Sequence, residues 1–196
     1  MAETEIIMGN VMDYLEWRGD LTFDQSPFND VDNVILSQLA YVNFRDVIPS
    51  VQMNKGITLK AAAQLFFDLH TEEELMQDKS FIKDAPKLLK KAAQTNRFRD
   101  VILSDYVDMV DETLEKQFGA FHIKLSPQCT YVAFRGTDDT LVGWKEDFNM
   151  SFISPVPSQE DAVKYLDDTC SYIRGKLYVG GHSKGGNLAI YSAIHC

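Results

Sequence analysis

A chain of 196 residues holds about one domain, and with 45% hydrophobic and 24% charged residues it can bury an ordinary core. Its net charge of −10 argues against nucleic acid or an anionic membrane as a standing partner, because both need clustered Lys and Arg. No apolar run approaches the roughly 18 residues of a membrane-spanning helix, and residues 1–5 lack the basic and apolar regions of a secretory signal. Cys129, Cys170 and Cys196 are odd in number and share no metal-ligand spacing. They read as reduced thiols of a cytoplasmic protein, with no metal and no other cofactor expected.

The first half of the chain reads as mainly helical. A short helix is expected over residues 6–17, with Met8, Val11, Met12 and Leu15 on one side, then a loop over 20–29 broken by Pro27. Asp30 or Asp32 caps a helix running to about Val42, in which Val31, Val34, Ile35, Leu36, Leu39 and Ala40 recur at helical spacing. Thr58 is the expected N-cap of a helix from Leu59 to about Leu69, and His70 stands at its end as a C-terminal cap rather than a base. Thr71 and Glu74 have capping-box spacing, and a further helix over 80–93 is interrupted by Pro86.

After Asn96 the pattern changes to alternation. Residues 101–110 form a half-buried strand in which Asp105 breaks the phase of Val101, Leu103, Val107 and Met109. Residues 111–119 are read as a connection closed by Gly119. In the strand over 120–125, Phe121, Ile123 and Leu125 share one face, which leaves His122 on the polar face as a surface histidine. Residues 129–134 are a denser apolar strand running into Arg135-Gly136-Thr137. A short helix over 144–152 and a longer one capped by Ser158 and closed by Gly175 lead to a last strand and helix. The order β-β-β-α-α-β-α suits an α/β sheet with its site at the carboxyl ends of the strands.

That last strand and helix flank Gly181-His182-Ser183-Lys184-Gly185-Gly186. Gly181-x-Ser183-x-Gly185 fits the nucleophile elbow, in which a serine tops a strained strand-to-helix turn. Glycines are demanded two residues before and after it, because side chains there would strike the adjoining elements. The helix behind the serine aims its free N–H groups at the place where an oxyanion would form.

Residues 131–137 (Tyr-Val-Ala-Phe-Arg-Gly-Thr), followed by Trp144 and Asp147, resemble the oxyanion-loop segment of the class 3 (fungal-lipase-like) α/β hydrolases, and the Gly181–Gly186 turn resembles their nucleophile elbow. The likeness covers about residues 100–196. The whole chain also resembles a bacterial family of lipase-like proteins, partly through Leu36-Ser37-Gln38-Leu39-Ala40-Tyr41.

The resemblance implies a mainly parallel sheet with helices on both faces, preceded by a helical region over 1–95, all in one domain. Ser183 would be the nucleophile, with the Lys184 N–H and the Thr137 N–H and hydroxyl as oxyanion donors. Arg135 would be structural, its guanidinium paired with Asp147. Gly136 would shape the oxyanion turn. The substrate would be a carboxylic ester or lipid-like small molecule.

In such folds the triad Asp and His follow the serine. His182 adjoins Ser183 without being its base, and His195 lies about 18 Å along a helix at 1.5 Å per residue. The expectation is therefore a sheet and triad left incomplete within 1–196, as in the N-terminal portion of a longer protein, with little activity alone and self-association through an exposed sheet edge. A non-catalytic binding module and an acyltransferase are the alternative functions.

Overall fold

The computed structural model describes residues 9–51, 55–77 and 82–196; Met8 and the first residues of the two helices expected over 6–17 and 80–93 lie outside them. Helix α1 (Val11–Arg18) starts at an Asn10 cap whose backbone N–H is held in turn by Asp13. The same device opens α2 (Asp30–Leu39). There Asn29, not Asp30 or Asp32, is the cap, and Asp32 reaches back to the Asn29 N–H at 3.0 Å. Asp32 is further engaged by the fully buried Arg97, which also donates to the carbonyls of Leu21, Ser26 and Pro27 and so anchors the loop over 20–29.

Strand β1 (Ile57–Thr58) is brief, and Thr58 caps α3 (Leu59–Leu69) as its spacing foretells. Thr71 and Glu74 form the expected reciprocal pair at the head of α4 (Glu72–Gln77). Pro86 belongs to the first turn of α5 (Ala85–Ala92), where its missing N–H is harmless, so it begins this helix instead of interrupting one.

The sheet follows in β2 (Ile102–Asp111), β3 (Lys116–Ser126), β4 (Cys129–Phe134) and β5 (Lys176–Gly181), in the spatial order β1-β2-β3-β4-β5. Only β4 and β5 run parallel; the other three pairings are antiparallel. The expected mainly parallel sheet is thus corrected, and for β2, β3 and β4 connection length explains why. Residues 112–115 and 127–128 join β2 to β3 and β3 to β4, and links that short can only reverse the chain. Between β4 and β5 lie α6 (Leu141–Asn149) and α7 (Pro157–Thr169), enough chain for a crossover. Helix α8 (Lys184–His195) follows β5.

Other boundaries also move. Lys116 to Gly119, expected in the connection, belong to β3. Helix α6 begins at Leu141 on a Thr140 cap and ends before Phe152. Helix α7 starts at Pro157, which places Ser158 inside its first turn instead of at the cap. The phase break at Asp105 is a bulge: the β2–β3 register shifts between Ser104 and Val107, and Asp105 has φ 57°.

Helices cover both faces of the sheet, as expected. Phe121, Ile123, Tyr131 and Ala133 join the buried residues of α1, α2, α3 and α5 in one core. Residues one step out of phase (Phe118, Ala120, Val132, Phe134) pack against Ala162, Tyr165 and Leu166 of α7 and Leu188 and Ala189 of α8. His122 belongs to this second side. It is 3% exposed and pairs with Thr169 Oγ1 at 2.9 Å, so the surface reading fails because the polar-phase face is covered by α7. No described helix is long and apolar enough to cross a membrane.

Candidate active site

Ser183 stands between β5 and α8 with φ 57° and ψ −125°, a backbone state that costs a non-glycine residue of order 1–3 kcal/mol. Its neighbours show what enforces that state. A Cβ on Gly181 would lie 2.5 Å from both the Phe134 carbonyl oxygen and the Gly185 carbonyl carbon. One on Gly185 would come within 2.2 Å of the Phe134 oxygen, and one on Gly186 within 3.0 Å of the Gly181 oxygen. The elbow is therefore pressed against the end of β4, and its glycines are required by close approach. Ser183 is exposed at the head of α8, with the Lys184 N–H directly after it.

The Arg135-Gly136-Thr137 turn is brought to the same place. A Cβ on Gly136 would meet the His182 carbonyl oxygen at 2.4 Å and the Tyr41 hydroxyl at 2.1 Å, so oxyanion turn, elbow and the end of the N-terminal helical segment are in mutual contact. Tyr41 Oη lies 3.1 Å from His182 Nδ1. Burial pushes the Tyr41 phenol up to about 12, so it stays protonated and holds the imidazole as a hydrogen-bond partner. The resemblance of 36–41 to lipase-like proteins gave no role to Tyr41; its structural place is beside the elbow.

Two expected partnerships are exchanged. Arg135 does not pair with Asp147. Its guanidinium donates to Asp108 Oδ1 at 2.5 Å. The path to Asp108 crosses Gly119, where a Cβ would stand 3.1 Å from Arg135 Nε. A lone glycine between Phe118 and Ala120 in a strand is the sequence mark of such a crossing. Asp147 instead accepts the Thr137 hydroxyl at 2.6 Å. With its hydroxyl proton committed there, Thr137 has its main-chain N–H left as the group to offer an oxyanion.

Lys184 does more than supply an amide. Its side chain turns inward, 4% exposed, and Nζ donates to Glu146 Oε2 at 2.8 Å and to the Gln117 carbonyl at 2.9 Å. The Glu146 carboxylate, wholly buried, also accepts the N–H groups of Gln117 and Ser158 at 3.0 Å each. The elbow is thereby bolted to β3, α6 and α7. Glu146 is the residue that sequence reading misses here, and the signal for it is a charged residue on α6 at a core-facing position.

Among the described residues no histidine is paired with Ser183. His122 is committed to Thr169, His182 to Tyr41, and His195 stacks on Tyr191 with ring centroids 4.3 Å apart. Nor does any group of three or more described His, Cys, Asp or Glu residues stand ready to hold a metal. The site thus consists of a strained, exposed hydroxyl, a helix terminus behind it and a second turn against it.

Neither the curated proteins nor the solved structures provide a match to this chain. The model of the Mbeg1-like family matches residues 92–196, which span the sheet from β2 onward, the oxyanion turn and the elbow, and make up just over half of the sequence. On that match, the chain belongs to the Mbeg1-like family.

Proposed function

We propose that this protein is a serine hydrolase of the esterase or lipase class, with Ser183 as nucleophile and the N–H groups of Lys184 and Thr137 as oxyanion donors. The observation that carries the reading is the Ser183 backbone, held at φ 57° by glycines whose Cβ positions are already occupied. Strain of this kind persists where a hydroxyl must be presented in one direction. Ser183 Oγ would attack the ester carbonyl, and the two amides would stabilise the oxyanion, each donor lowering the barrier by about 3–4 kcal/mol.

The substrate class follows from what surrounds the turn. Leu141, Trp144 and Phe148 recur along α6 directly after the Thr137 turn and are largely exposed, which suits an ester with an apolar portion. The same reading includes self-association through the edge of β5 and a cytoplasmic setting.

The proton acceptor is the element that no described residue supplies, so the test provides one. Imidazole added with a fluorophosphonate probe should yield one covalent adduct on Ser183, read by intact mass and peptide mapping. Equal adduct formation in the wild type and in Ser183→Ala, including none in either, would sink the proposal.

A non-catalytic module that keeps the elbow as scaffolding is favoured by one observation, the commitment of the nearest histidine, His182, to Tyr41. Acyl transfer to an alcohol or thiol would use the same machinery.

A further inference from the structure

A cleft of about 910 Å³ opens between α3 and α5, on a different part of the molecule from Ser183. One wall is the α3 face of Lys60, Ala63, Gln64 and Phe67, at i, i+3, i+4 and i+7. The opposite wall is α5, which contributes Pro86, Lys87 and Lys90. Leu75 closes the apolar floor, to which Ala63 and Ala93 also belong. Most of this lining precedes residue 92, where the family match begins.

Charge sets the cleft apart from the rest of the surface. The chain has 29 acidic and 19 basic residues, yet five of the basic ones (Lys60, Lys83, Lys87, Lys90 and Arg99) line this cleft against one carboxylate, Asp84. Asp84 is engaged by Lys87 at 2.8 Å, and Arg99 by Asp100 at 3.1 Å. Among the described residues no ion pair joins Lys60, Lys83 or Lys90. Lys90 lies with its ammonium 5.8 Å from the Phe67 ring centroid, so a cation sits directly above apolar surface. Gathering like charges round a concavity costs stability unless an anion occupies it, and the volume lies in the range of small-molecule sites.

We infer that this cleft binds a single-chain anionic amphiphile, its apolar chain along Ala63, Phe67, Leu75 and Ala93 and its anionic head among Lys60, Lys83 and Lys90. A flat membrane surface would meet the rim without filling the floor. An acidic peptide would satisfy the lysines but needs a longer groove. The inference stands on the cleft alone and does not depend on Ser183 being a nucleophile.

The test is calorimetric titration of the protein with monomeric laurate, below its micelle concentration. The wild type should bind one laurate per cleft, more weakly as salt is raised, and dodecanol should bind at least several-fold more weakly. Lys60→Glu/Lys90→Glu should reduce laurate affinity by roughly tenfold or more, and Lys60→Gln/Lys90→Gln by less, in the order of charge removed. Both positions are exposed, so both variants should keep the wild-type melting temperature, and whichever folds suffices for the comparison. The inference is overturned by laurate affinity indifferent to both double substitutions, by dodecanol binding as tightly as laurate, or by binding confined to phosphatidylglycerol vesicles. Binding of an acidic peptide without binding of laurate would also overturn it and assign the cleft to a protein partner.

Discussion

At Lys184 the main chain and the side chain serve opposite directions. The amide faces the oxyanion position of the proposed mechanism, while the ammonium is held between Glu146 and the Gln117 carbonyl in the interior. Removing one member of such a pair strands a buried charge, which typically costs 3–5 kcal/mol. Glu146→Ala should therefore lower unfolding stability by about 3–5 kcal/mol in urea, while Glu146→Leu combined with Lys184→Met should recover much of that loss. His122 predicts a pH effect. Burial pushes its imidazole down to about 4, opposed by the Asp105 carboxylate 3.8 Å away. Between about pH 6.5 and 4 the unfolded chain takes up a proton at this position and the folded chain does not, so stability falls on acidification through that window. His122→Gln should flatten the fall, by up to about 3 kcal/mol between pH 7 and 4, in denaturation curves measured at each pH. The glycines of the elbow were legible in the sequence because a strand-to-helix turn fixes their spacing about the serine, even though the Phe134 carbonyl that Gly181 and Gly185 avoid is remote in the chain. The partners of Lys184 and Arg135 were not, since Glu146 and Asp108 lie 38 and 27 positions away and only the folded sheet brings them near.

Among the elements, the β5-turn-α8 unit stores the strain and the end of β4 enforces it. The Ser183 dihedrals suit glycine far better than any other residue. Ser183→Gly should therefore be more stable than Ser183→Ala by about 1 kcal/mol, in melting temperatures of the two variants compared directly. Gly185→Ala should act the other way, destabilising by about 1–3 kcal/mol, because its new methyl meets the Phe134 carbonyl and backbone cannot move aside cheaply. Helix existence was readable throughout, through capping residues such as Thr58 and the Thr71–Glu74 pair. Helix starts were less so. Asn29 outcompetes two neighbouring aspartates because one of them, Asp32, is already required to close the capping box and to receive Arg97.

At the scale of the molecule, the four strands after residue 100 were foreseen in their order along the chain, but the two-residue β1 was not. Nor was the sheet's polarity, because alternation reports a strand without saying which way its neighbour runs. The connections carried that information, had Lys116 to Gly119 been recognised as strand. Among the described residues no strand pairs with the outer edge of β5, beside exposed Leu177, and α8 presents Ile190 and Ile194 to solvent, 66% and 71% exposed. Self-association through this region should be weakened by Ile190→Lys/Ile194→Lys, giving a lower sedimentation coefficient at matched concentration. A wild type that sediments as a monomer at all accessible concentrations would remove the basis for that expectation. Finally, every hydrogen-bonded neighbour within this sheet is also the next strand along the chain. From β2 to β4 pairing can therefore proceed as a ribbon with little entropy lost to loop closure, whereas β1 must find β2 across α3, α4 and α5, and β5 must find β4 across α6 and α7. The elbow therefore acquires its shape after the β2–β4 ribbon has formed, and amides of β3 should gain protection from exchange during refolding before those of β5 do.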